Sequence, residues 1–256
     1  MAAAGDRTLR RVAAATIDQL EKLLPDDGGR PSVQRPPSTG RAQCGEVLFL
    51  LTDALQTLEL GTNVRPGTLA DHLYDREHSE HVIQDVIGLV TGTDGATALT
   101  PQAERLWADL RAALSSPNLP AVVDSLFGTV WLVDYLRGVL IDAVASAVRF
   151  RCEVVPAALT EAVRALGSVL AARHPGAVIE VRVPPAVAVQ VGAFGEGPRH
   201  TRGTPPNVVE LEPATFFALA TGARTWRGEV AEHRVMASGA QADALARMLP
   251  VINLSR

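Results

Sequence analysis

Apolar positions in the first half of the chain recur at helical spacing. Leu9, Val12, Ala13, Ile17, Leu20 and Leu24 fall on one face, as an amphipathic helix requires. The turn-rich stretch Pro25 to Pro31 stops that helix, and Pro36 and Pro37 keep the chain extended beyond it. A second helix is predicted from about Gln43 to Leu58. Its apolar residues Val47, Leu48, Leu50, Leu51, Leu55 and Leu58 cover much of the circumference, which suits a helix at the centre of a bundle. A third is predicted from Thr68 to Leu89, polar at first (Asp71, His72, Asp75, Arg76, Glu77, His78) and then apolar. After a turn at 91–96, a short helix carries Leu106, Trp107, Leu110 and Leu114. Val122 to Leu132 reads as a small hairpin around Gly128, and a strong helix runs from Leu132 to about Phe150. Antiparallel packing of these helices buries their stripes.

From Pro156 the pattern changes. One more helix, Ala157 to Arg173, precedes Val178-Ile-Glu-Val-Arg-Val183, which alternates with period two as a half-wetted strand does. Val187 to Val191 and Asn207 to Leu211 are further strands, separated by a Gly-, Pro- and Arg-rich loop over 192–206. Helices at 213–221 and 226–232, a strand at 234–238 and a final helix at 241–249 complete the order. The fold class is α+β: an N-terminal antiparallel helical bundle over 7–152, then a mixed sheet covered by helices over 156–256.

Composition narrows the function classes. With 47% apolar and 20% charged residues the chain is globular. A net charge of −4 leaves no cation excess for nucleic acid. Cys44 and Cys152 are too far apart in sequence to suggest a disulfide framework. No apolar run reaches the ~18 residues of a spanning helix, and no signal peptide is recognised, so a cytoplasmic protein without an integral membrane segment is expected. Self-association is left open. Gly192-Ala-Phe-Gly-Glu-Gly197 has the wrong spacing and context for a dinucleotide fingerprint.

The strings Val178-Ile-Glu-Val-Arg-Val-Pro-Pro185, Gly197-Pro-Arg-His-Thr-Arg-Gly-Thr-Pro-Pro-Asn-Val-Val-Glu210, Phe216-Phe-Ala-Leu-Ala-Thr-Gly222 and Arg234-Val-Met-Ala-Ser-Gly239 resemble the bacterial branch of the sterol carrier protein family. That resemblance implies an apolar tunnel between sheet and helices. Residues 7–150, most clearly Phe127-Gly-Thr-Val-Trp-Leu-Val-Asp-Tyr-Leu-Arg137, resemble the bundle of the mycothiol-dependent maleylpyruvate isomerase family, related to DinB-type bundles. The second resemblance implies mycothiol and a divalent metal held by two histidines and a glutamate. Placed on that pattern, this chain has Leu50 and Ser146 at the histidine positions and Asp142 at the glutamate. One carboxylate does not hold zinc. A bundle without its metal is therefore expected, and a replacement site built from His72, His78 and His81 is the weaker reading.

Arg199, His200, Arg202 and Thr204 form a polar set suited to a carboxylate or phosphate, or to fastening their own loop. Phe216, Phe217 and Trp226 are core residues or tunnel lining. Asp142 and His200 are the candidates for acid–base work. The expected function is binding of a hydrophobic small molecule of lipid, sterol or acyl type, with no cofactor. The alternatives are a metal-independent isomerase or cyclase and, less favoured, an active mycothiol- and metal-dependent isomerase or transferase.

Overall fold

The computed structural model describes residues 2–25, 37–92, 94–192 and 207–254. They form two compact units, 1–158 and 159–256.

In the first unit α1 (Ala2–Leu23) buries Val12, Ala13, Ile17, Leu20 and Leu23. Helix α2 (Pro37–Glu59) is buried at Cys44, Val47, Leu48, Phe49, Leu50, Leu51 and Ala54, positions that run around most of its surface. A helix apolar on all sides must be central. The expected third helix is two: α3 (Leu69–His78) and α4 (Glu80–Thr91), parted at Ser79. Helix α3 lies on α6 (Leu132–Phe150), whereas α4 lies on α2. Two different partners require two directions, and the Ser79 amide closes α3 by donating to the Arg76 carbonyl. Helix α3 opens with a capping box in which Thr68 Oγ1 accepts from the Asp71 amide and the Asp71 carboxylate accepts from the Thr68 amide.

The helix expected to be short is 19 residues long, α5 (Ala96–Leu114). It contains Pro101 at its sixth position, beside the buried Leu99, Thr100 and Ala103. The hairpin β1 (Val122–Ser125) and β2 (Gly128–Trp131) turns inward at Val123 and Val130. Gly61 bridges Val123 and Gly67 bridges Val130, so the connection between α2 and α3 borders both strands. Arg151 ends α6 in the left-handed region, and the Cys152 amide donates to Ala147 O.

The second unit begins within α7 (Pro156–Arg173) and holds nearly all of it. Its sheet has the order β4 (Val187–Val191), β3 (Ile179–Val183), β5 (Asn207–Leu211), β6 (Val235–Ser238). Strands β3 and β5 are parallel and the outer pairs antiparallel, so the sheet is mixed. Ile179, Val181, Val183, Val209 and Leu211 are buried, while Glu180, Arg182, Val208 and Glu210 between them are half-exposed. Helix α7 approaches β4 closely at Gly167, where a Cβ would lie 3.1 Å from Val187 Cγ1. Helices α8 (Pro213–Ala220) and α9 (Trp226–Ala231) follow. The α-helix expected at 241–249 is instead a 3₁₀ turn, Ala242–Arg247. With Pro250 just beyond it, the segment has no length in which to propagate α-helix.

Candidate functional site

The buried charged and imidazole side chains of the bundle, Asp53, His72, Arg76 and Asp142, gather where α2, α3 and α6 meet. Helices α2 and α6 run antiparallel. At one end Ser146 Oγ donates to Glu46 Oε2 at 2.6 Å, and at the other Tyr135 Oη donates to Asp53 Oδ2 at 2.7 Å. Leu50, 2% exposed, and Asp142 fall between these contacts in sequence. Helix α3 runs parallel to α6 and brings the Arg76 guanidinium into an ion pair with Asp142. The two side chains are 4% and 9% exposed. The guanidinium carbon lies 5.0 Å from the Phe127 ring centre and 5.7 Å from that of Phe49, within reach of a cation–π attraction.

One turn earlier on α3, His72 sits edge-on to Phe127 and Tyr135, each at 5.9 Å. Gly138 makes room for it: a Cβ there would stand 3.0 Å from His72 Nε2. His72 Nδ1 and Arg76 Nε are buried without a hydrogen-bond partner. Burial, and then the Arg76 charge, push the His72 pKa down to about 3, so the imidazole is neutral. Burial raises the pKa of Asp53; Tyr135 and Arg76 oppose that rise, and Asp142 adds to it. Burial also raises the Tyr135 phenol, and Asp53 raises it further. Arg76 itself is desolvated, yet Asp142 and Asp53 outweigh that cost and hold its pKa above the usual value.

These residues do not suit the divalent metal that the family resemblance implies. Leu50 offers no donor atom. The Asp142 carboxylate faces a guanidinium, and Ser146 Oγ donates to Glu46, which also pairs with Arg149. A second cation beside Arg76 would be repelled. His78 is exposed and stacks on Tyr74 at 4.0 Å, and His81 is exposed too, so neither joins the buried His72. Among the described residues no three of His, Cys, Asp and Glu are grouped to hold a metal.

Sequence reasoning placed Leu50, Asp142 and Ser146 on facing helices. It missed Asp53 and Tyr135, and it counted His72 and Arg76 only among the polar residues of the third helix. The correction has a physical basis: Leu69, His72, Leu73 and Arg76 share one face of α3, and all four are buried. The spacing of Leu69 and Leu73 was the available signal.

In the second unit Arg199, His200, Arg202 and Thr204 lie outside the described residues. Phe216 and Phe217 are buried at 0% and 3% exposure, and Trp226 is half-buried at the start of α9. Buried Glu229 accepts from Arg234 at 2.5 and 3.0 Å and from Arg224 at 3.3 Å. The Arg234 hydrogen bonds hold its carboxyl below the usual range. That cluster ties α9 to the start of β6.

Residues 156–251 match the family model described as bacterial SCP ortholog. This is the stretch that carries α7, the mixed sheet, α8, α9 and the 3₁₀ turn. No curated protein matches the sequence. Two crystal structures of the mycothiol-dependent maleylpyruvate isomerase, one of a point mutant, are similar to this chain at 15% identity and a TM-score of 0.48. Each covers 91% of this chain and 92% of that chain. No helix among the described residues is long and apolar enough to cross a membrane.

Proposed function

We propose that this chain is a binding protein for a hydrophobic small molecule of lipid, sterol or acyl type, held by residues 156–251, and that its bundle works without metal or mycothiol. The observation that supports the first half best is the match of 156–251 to the bacterial SCP ortholog family. The alternating strands β3 and β5, which put aliphatic side chains on one face of the sheet, agree with it. The Arg76–Asp142 pair supports the second half, because it engages the one carboxylate that the implied ligand set retains.

Enclosing about 300 Å² of apolar ligand at ~25 cal/mol/Å² yields roughly 7 kcal/mol before the costs of association. Those costs take up much of that gain, so a modest affinity is expected. Native mass spectrometry of the purified protein, with displacement of a fluorescent fatty-acid analogue, tests this. A retained apolar ligand or saturable displacement is the expected result. Absence of both removes the proposal.

A further inference from the structure

The bundle buries a cation of its own. Arg76 is almost wholly enclosed, and the charged and titratable groups around it come from three helices: Asp53 from α2, Tyr135 and Asp142 from α6, and His72 from α3. Two carboxylates thus act on one guanidinium, whose flanks are the rings of Phe127 and Phe49. A buried carboxylate needs a countercharge, and a buried pair is lost as a pair when one partner goes. In the ligand set implied by the bundle's resemblance, the countercharge of the α6 carboxylate is a metal ion.

We infer that Arg76 occupies the place of that ion: the guanidinium from α3 is the permanent countercharge of Asp142, and it excludes a divalent metal from the space between α2 and α6 even when suitable donors are present. Three features carry this. Asp142 lies between the Glu46–Ser146 and Asp53–Tyr135 contacts, where α2 and α6 face each other. Its partner is a side chain of the fold rather than solvent. Arg76 remains protonated at every pH a protein tolerates, so its charge cannot be released to admit another cation. A divalent ion within ~4 Å of it would lose affinity roughly a thousandfold or more. The inference deepens the metal-free half of the reading above and is independent of what residues 156–251 bind.

The experiment restores the implied donors with Leu50→His, Asp142→Glu and Ser146→His, and then adds Arg76→Met. Each full-length protein is incubated with excess zinc sulfate, desalted and submitted to elemental analysis. The threefold variant is expected to retain no stoichiometric zinc, and the fourfold variant about one zinc per chain. Zinc held by the threefold variant with Arg76 intact overturns the inference, as does a folded fourfold variant that holds none. Zinc held by the unaltered protein sinks the metal-free reading itself.

Where the histidine variants do not fold, melting of two simpler proteins decides. Arg76→Met is expected to melt about 10 °C lower than the parent. Adding Asp142→Asn, which removes the uncompensated charge, is expected to recover most of that loss. No recovery means that Arg76 is a packing residue rather than a countercharge, and the inference falls.

Discussion

Single residues decide the character of the bundle interior. His72 is neutral because burial and Arg76 both oppose its charge, taking its pKa to about 3 from 6.5. The sign of the consequence is fixed. Above pH 6.5 folded and unfolded chains both hold a neutral imidazole, and nothing is lost. Between 6.5 and about 3 the unfolded chain takes up a proton that the folded one does not, so stability falls as pH falls. Asp53 works in the opposite sense: its raised pKa is a penalty that appears as pH climbs past 3.8. At ~1.4 kcal/mol per unit, His72 accounts for a loss of about 2 kcal/mol between pH 7 and 5. Denaturant unfolding at those two pH values is expected to show a smaller loss for His72→Leu than for the parent. Equal losses would assign the acid sensitivity elsewhere. The spacing of Leu69 and Leu73 carries the signal for His72's burial, but the acidic neighbours Asp71 and Asp75 mask it in the sequence.

At the scale of elements, periodicity located most helices and strands, and it failed where a partner rather than a pattern set the boundary. The apolar spacing through 69–90 is compatible with one continuous helix. It breaks at Ser79 because α3 and α4 lie on different helices. Helix α5 runs on both sides of Pro101, and the 3₁₀ turn at 242–247 has the composition of a short α-helix. The Thr68–Asp71 capping box was readable in principle as a Thr followed three residues later by a carboxylate. Its contribution is local. Thr68→Ala is expected to cost about 1 kcal/mol, measured as a shift of the denaturant midpoint at unchanged slope. A cost beyond ~3 kcal/mol would show that α3 relies on this cap to seat Arg76.

At the scale of the whole molecule, each compact unit closes its own core. The first gathers Leu20, Leu48, Leu51, Leu136 and Val139 among many others, and the second buries Leu166, Val181, Val209, Phe216 and Ile252. Calorimetry of the full chain is expected to resolve two transitions, with Arg76→Met lowering one and leaving the other in place. A single transition that moves as a whole would mean that the units unfold together.

By itself the sequence determined the class of fold and most of the order of elements, because these follow from local periodicity; that Leu50 and Ser146 stand at metal-ligand positions is what the family resemblance implies. Only the tertiary structure decided which charge stands beside Asp142. Arg76 lies 66 residues before Asp142, and no local rule links a guanidinium on a polar-looking helix to a carboxylate that distant. The link arises because α3 packs parallel to α6, and a buried charge must be met by whichever opposite charge the packing brings within reach.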